Sequence, residues 1–343
     1  MSPGGDTTSL RERQAAGEQS AQQARPWWHW TKRLLKICFL ALIAYLLFRQ
    51  ARSIEWDKVM AAIYQRSAPA LLAAAGLAAA SHLLYACFDL MGKHLTGHKL
   101  PAKTVMGITF VCYAFNLNLG SVIGGVAMRY RLYSRFGLDS TVITRIAANS
   151  MLTNWSGYLL LAGLAFWWRP LPLPAEWKLD SGGLRLLGMA MVAAALAYVL
   201  LCAFAKQRNW TLRGHGITLP PWRLAVVQLL VSCTNWLLMS GLVYLLLQRK
   251  IDFPTVVAVL LTAAIAGVVT HVPAGLGVLE AVFIALLSQQ IGRNDLLAAL
   301  ILYRFLYYLA PLLLACVAYF VTEAKAKRHA APPGVAAALP GDR

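Results

Sequence analysis

Two ionisable side chains stand where this sequence can least hold them. Glu280 closes the stretch HVPAGLGVLE (271–280), and Arg304 lies in the middle of ALILYRFLYYLAPLL. A charge surrounded by hydrocarbon is costly unless it faces the protein interior and finds a partner, so the two are expected to face one cavity and to pair. Such a pair has two uses. It can tie two elements together, or its guanidinium can engage the phosphate of a passing anionic headgroup while the carboxylate holds or competes for it. Arg129, Arg131 and Arg135 follow the glycine pair of GSVIGG (120–125) and raise the same choice. Topology alone explains most of them, but Arg129 directly follows the turn and is the one read as a headgroup ligand.

Weaker chemical signals surround these. His94 and His98 have the spacing of two metal ligands on one helix turn, but Lys93, Lys99 and Gly97 oppose both a dication and a helix there, and a headgroup-level loop is expected. His271 reads as a hydrogen-bonded structural histidine, with proton carriage as the alternative. Asn116 and Asn118 are expected to line a cavity at the first turn, and Asn149, Asn154 and Asn235 to bond between helices. Asp89, near one end of its apolar run, is expected to reach the interface. The six cysteines all lie in apolar runs without a CxxC pair, so they imply neither disulfide nor metal.

The elements that must position these groups are membrane helices. Hydrophobic residues make up 59% of the chain and charged residues 13%, and the mean hydropathy is +0.56, which exceeds what a soluble fold of this length can bury. Apolar runs occupy 34–48, 68–91, 104–119, 140–168, 184–204, 222–247, 254–272, 275–290 and 296–321. The net charge of +18 is a topology signal rather than a nucleic-acid footprint, because the basic residues lie outside those runs. If 104–119 and 254–272 are the first arms of hairpins that dip into the bilayer and return, then Lys93, Lys99, Lys103, Arg131, Arg135, Arg213 and Lys325 all share the side of Lys32 and Arg33. Arg49, Arg66, Arg169, Lys178, Lys250 and Arg293 share the other side, near Asp252 and Asp295. The fold class is therefore an all-α polytopic membrane protein of about six spans plus two re-entrant hairpins, with an inverted repeat as its expected symmetry. Pro273, Gly275 and Gly277, like Gly124 and Gly125, supply the broken backbone that such turns require.

Residues 1–29 read as a disordered cytoplasmic tail, 30–323 as the transmembrane domain and 324–343 as a second cytoplasmic tail. The stretch 53–68 reads as an interfacial amphipathic helix. No Walker loop, GxSxG or HExxH is present, so no catalytic residue, cofactor or metal is assigned.

PAGLGVLEA followed by ILYRFLYYLAPLL, with the earlier NLNLGSVIGGVAMRYRLYSRFGL, resembles the lysylphosphatidylglycerol synthetase transmembrane-region family over residues 30–325. The chain departs from the family's second turn at Ala274, where a glycine is usual. The resemblance implies a lipid-handling domain in a bacterial inner membrane, flippase-like toward phospholipids or isoprenoid-linked lipids, with both termini cytoplasmic. The motif positions it carries over are Gly124, Gly125 and Arg129, then Pro273, Gly275, Gly277 and Glu280, then Arg304, Tyr308 and Pro311, with Asn118 added from the first turn. The aminoacylation chemistry of larger relatives belongs to a separate soluble domain, and none is expected here. The partners expected are membrane lipids with anionic headgroups, with a second copy or a lipid-synthesis enzyme as further candidates. The alternatives are a membrane enzyme transferring a headgroup or glycosyl unit, and a non-transporting partner in an envelope complex.

Overall fold

The computed structural model describes residues 66–330 apart from 175–179, 207–208, 213–214 and 271–274, together with residues 57, 60, 61 and 64. The N-terminal tail 1–29, the outer part of the C-terminal tail, the apolar run 34–48, Cys38 and most of the stretch 53–68 lie outside the described residues, as do His271, Pro273 and Ala274.

Helix α1 (Ala68–Ala86) is alanine-rich and opens on Pro69, whose missing N–H is no loss in a first turn. It breaks at Cys87 and continues as α2 (Phe88–Thr96), which Gly97 ends in the left-handed conformation at φ 68°. Helix α3 (Ala102–Leu119) follows Pro101 and stops at Gly120, where φ 83° and ψ 168° reverse the chain. The return begins as π-helical turns over Ser121–Ala127 and goes on as α4 (Met128–Arg135). Next come α5 (Ser140–Trp168) and α6 (Ser181–Phe204), the latter capped by the Asp180 carboxylate, which accepts from the Gly183 N–H at 2.8 Å.

Strands β1 (Asn209–Leu212) and β2 (His215–Thr218) pair antiparallel, Trp210 opposite Ile217, in a segment whose charges read as a plain basic loop. Helix α7 (Trp222–Leu246) starts after two prolines. Helices α8 (Phe253–Thr270) and α9 (Val278–Leu287) form the second hairpin. Helix α10 (Arg293–Tyr303) passes into π-helical turns at Arg304–Leu309 and then α11 (Ala310–Ala330).

Among the described residues the protein is all-α apart from that one small hairpin, a polytopic membrane protein. Among the described residues six segments are long and apolar enough to cross a membrane: Ala68–Thr96, Ala102–Arg135, Ser181–Phe204, Trp222–Leu246, Phe253–Thr270 and Arg293–Thr322. Helix α5 is not among them despite its 29 residues, because Asn149, Ser150, Thr153, Asn154 and Ser156 interrupt its apolar character. Their polarity is spent inside the protein. Gln228 donates to Asn149 Oδ1 at 2.8 Å and to Thr153 Oγ1 at 3.0 Å, and Ser232 donates to the Asn154 carbonyl at 3.0 Å, so α5 is bound to α7 by hydrogen bonds as well as packing. On its other side α5 meets α6 at Gly163 and Gly188, where a Cβ on Gly188 would lie 2.7 Å from the Gly163 carbonyl oxygen.

The loop charges make local contacts of two kinds. At one end, His98 packs against the Tyr133 ring at 6.4 Å and Arg131 donates to the Tyr319 hydroxyl at 2.7 Å. Partial burial and the charge of Lys93 hold His98 below its ordinary pKa. A second group of charges forms two exposed ion pairs, Arg169–Asp252 at 2.7 Å and Lys250–Asp295 at 2.5 Å. These join residues that the topology reading had assigned together to the other side.

Candidate functional site

The first hairpin closes backbone on backbone. A Cβ built on Gly124 would lie 2.2 Å from the carbonyl carbon of Phe115 and 2.3 Å from the amide nitrogen of Asn116, so the returning arm lies directly on α3 with no side chain between. Gly125 is less confined, with the nearest atom to a built Cβ being the Asn116 Oδ1 at 3.0 Å. The π-helical geometry here, and again from Arg304, is the kind of local widening that often accompanies functional sites.

One turn after this contact, Arg129 is fully committed. Its Nε and Nη2 donate to the two Asp89 carboxylate oxygens at 3.0 Å each, Nη1 donates to the Gly125 carbonyl at 2.9 Å, and Nη2 also donates to Ser150 Oγ at 3.0 Å. The Tyr133 hydroxyl adds a further bond to Asp89 at 3.0 Å. Asp89 is 0% exposed and Arg129 4%, which corrects the expectation that Asp89 reaches the interface. The reason is its partner: a bidentate guanidinium and a phenol satisfy the carboxylate more fully than partial hydration at the helix end could.

The second hairpin carries the expected pair. Arg304 Nε donates to Glu280 Oε1, and Nη2 donates to Oε2 and to the Gly275 carbonyl, both at 2.9 Å. The guanidinium also lies over the Tyr308 ring at 5.6 Å. Gly275 and Gly277 have φ of 56° and 78°, which glycine alone adopts without strain, and Gly267 comes within 3.9 Å of Gly275 when a Cβ is built on it. The side chains of this pair are 10% and 19% exposed, against 5% and 0% for Arg129 and Asp89. Each hairpin thus bears a charged residue on its returning arm, paired to a neighbouring helix, with the arginine of each pair also bonded to a glycine carbonyl of the returning arm.

A cavity of about 650 Å³ lies where the hairpins converge. Asn116, Gly120, Gly125 and Arg129 line it from the first, and Ala263, Gly267, Gly275 and Leu279 from the second. Much of the remaining wall is aromatic, with Tyr85, Tyr113, Trp155, Tyr158, Trp236, Tyr303 and Tyr308, and Met151, Asn154 and Met239 share it. Of the residues singled out in the sequence, Asn116, Gly125, Arg129, Asn154, Gly275 and Tyr308 line the cavity, and Arg304 adjoins it through its contacts with Gly275 and Tyr308, bringing Glu280 with it. Asn118 does not line it. Its Nδ2 donates to the Ala114 and Tyr308 carbonyls at 2.8 and 3.2 Å, tying the first hairpin to the second π-helical turn. Among the described residues no three His, Cys, Asp or Glu side chains converge as a metal site, and none of the five described cysteines is in a disulfide.

Sequence reasoning missed a hydroxyl relay beside the cavity. Ser81 Oγ donates to Asn235 Oδ1 at 2.7 Å, which obliges the Tyr307 hydroxyl, also at 2.7 Å, to donate to Ser81, and obliges Tyr113, at 2.8 Å, to donate to Tyr307. The available signal was the tyrosines themselves, since a phenol buried in an apolar run needs a partner. Tyr307→Phe removes the middle link and strands the Tyr113 hydroxyl. The expected loss of stability is about 1–3 kcal/mol, read as a lowered thermal midpoint in detergent, and an unchanged midpoint would show the relay to be energetically idle.

Comparison with known proteins fits this architecture. The model of the lysylphosphatidylglycerol synthase TM region matches residues 34–315. The chain is 44% identical over 307 residues to the inner membrane protein YbhN of Escherichia coli (strain K12), covering 89% of this chain and 96% of that one. An uncharacterized protein of Synechocystis is 28% identical over 260 residues, covering 75% and 80%. A phosphatidylglycerol lysyltransferase of Staphylococcus aureus (strain COL) is 20% identical over 294 residues, which are 83% of this chain and 34% of that enzyme.

Proposed function

Because the chain belongs to the lysylphosphatidylglycerol synthase transmembrane-region family, we propose that this multi-pass inner-membrane protein carries phospholipids or isoprenoid-linked lipids between leaflets through the cavity at its two hairpins. The observation that carries this reading is the cavity itself. Broken backbone at membrane depth is tolerated only where protein buries it or a polar cavity meets it, and here both breaks meet at one cavity with an ion pair beside each. The matching stations of Arg129 and Glu280 on the two returning arms support an inverted repeat, the symmetry on which alternating access commonly rests.

The exposures divide the labour between the pairs. Asp89 and Arg129 are the more deeply buried pair, and although Arg129 lines the cavity its three guanidinium nitrogens are all bonded to protein, so we read them as the scaffold of the first hairpin. Arg304 and Glu280 are the more open pair, and a lipid phosphate can replace the carboxylate on the guanidinium with the same two-pronged geometry. The expected substrate is therefore a lipid whose headgroup carries an anionic phosphate. Glu280 has both oxygens engaged by its arginine, which suits a counter-ion better than a general acid or base, so we read the chain as non-catalytic; the sidedness of its basic loops is what favours cytoplasmic termini.

The test is leaflet exchange of fluorescent phosphatidylglycerol in vesicles holding the purified protein. Ala263 lines the cavity and is 3% exposed, so Ala263→Trp fills the path. Exchange by the native protein that slows by about tenfold or more in this variant, a barrier increase of ~1.4 kcal/mol, is the expected result. A native protein that leaves exchange at the rate of empty vesicles would end the transport reading for that lipid.

A further inference from the structure

A second concavity lies elsewhere on the protein. It is a groove of about 470 Å³ between α1, α3 and the turn from the second π-helical segment into α11, and no residue lines both it and the cavity. Its walls include Ala75, Ala79, Gly107, Phe110, Leu306 and Pro311. Small residues such as these let membrane helices close on one another, yet here they leave a space in the size range of ligand sites. Its rim is open to the surroundings of the helices: Leu83 and Leu314, which also line it, are 61% and 65% exposed.

The walls decide what can occupy it. Their one polar side chain, His82, directs Nδ1 to the Ala78 carbonyl at 3.0 Å, so that nitrogen is the protonated one and Nε2 is left as an acceptor. The groove therefore offers no charge and no donor to a phosphate. Its helices belong to segments apolar enough to lie in a membrane and its rim is apolar, so hydrocarbon is the solvent expected to reach it, and an unfilled space of this size would forfeit the dispersion contacts of its whole lining.

We propose that this groove is a binding site for one acyl chain of a bilayer phospholipid, held apart from the headgroup cavity. The chain seated there lies against Leu306, inside the π-helical segment that begins with Arg304, and so packs the back of the element that carries the accessible ion pair. The site does not depend on transport, and binding is measured without it.

Gly107 gives a clean probe, since a Cβ built there meets nothing within 4 Å and a larger side chain enters the groove rather than the protein. The protein is placed in phosphatidylglycerol vesicles containing a phosphatidylglycerol with a photoreactive diazirine midway along one acyl chain, and labelled peptides are mapped by mass spectrometry. The internal reference is the lipid-exposed face of α6, where Leu196, Leu200 and Phe204 are 53%, 56% and 79% exposed. Labelling at Met106–Phe110 and Leu306–Leu314 should exceed that on α6. Gly107→Trp should reduce it by about tenfold, equivalent to ~1.4 kcal/mol of binding, while leaving α6 unchanged. Gly107→Leu, a gentler filling, should show a smaller loss in the same direction and covers the case of a tryptophan variant that does not fold. Groove labelling no stronger than on α6, or labelling that neither variant reduces, would overturn the proposal.

Discussion

Gly124→Ala is expected to prevent the first hairpin from closing. The added Cβ would stand 2.2 Å from the Phe115 carbonyl carbon and 2.3 Å from both the Phe115 oxygen and the Asn116 nitrogen. These are backbone atoms inside α3, so no rotamer change relieves the overlap, and the two arms must separate along their length. Separation also pulls Arg129 away from Asp89, whose burial is complete. A loss of about 3 kcal/mol or more is expected, at or beyond the upper end of ordinary overpacking. It overrides the gain of up to ~1 kcal/mol that alanine brings over glycine in a helix. Two neighbours calibrate the result. Gly107→Ala meets open space and should be neutral or slightly stabilising, while Gly125→Ala meets only the Asn116 side chain, which can turn aside. Thermal midpoints in detergent should fall in the order Gly107→Ala, Gly125→Ala, Gly124→Ala. A Gly124 variant as stable as the Gly107 one would refute the backbone contact.

The same residues show why some of the site was legible in the sequence and some was not. Glu280 and Arg304 stood out because each is a lone charge in an apolar run, and the cost of leaving such a charge unpaired points directly to a partner. The two helix reversals were legible from their glycines, since Gly120, Gly275 and Gly277 all take positive φ where the chain turns. Asp89 and Arg129 gave no comparable signal. Arg129 sits among arginines that topology explains, Asp89 lies close to a helix end, and only the fold brings the two together across some forty positions. The strand pair β1–β2 was hidden for a similar reason: Trp210, Leu212 and Ile217 alternate around Arg213 and Gly214, but the surrounding charges read as a plain basic loop. The polarity of α5 had the opposite effect. Its asparagines and serines look like a weakness in a span until Gln228 and Ser232 of α7 are seen to use them.

The decisive experiment on function separates the tie from the ligand. Removing one member of a buried ion pair leaves the other uncompensated at a cost of about 3–5 kcal/mol, whereas replacing both with neutral side chains of similar size is often close to neutral. The partial exposure of this pair should bring the single-variant cost to the lower end of that range. Arg304→Ala and Glu280→Gln should therefore each be less stable than the native protein, and the double variant Arg304→Met with Glu280→Gln should recover most of the loss. Leaflet exchange should not recover with it. If the guanidinium receives the lipid phosphate, the double variant has a sound fold and no receptor, and its exchange should stay at least about a hundredfold below native, ~2.7 kcal/mol on the barrier. Arg304→Lys sharpens the point, because it keeps the charge and loses the fork that matches two phosphate oxygens. A lysine variant that folds well and exchanges poorly would assign the chemistry to the fork rather than to the charge. Exchange that returns together with stability in the double variant would mean that Arg304 and Glu280 only fasten the second hairpin, and the lipid path would then have to be sought along the aromatic wall.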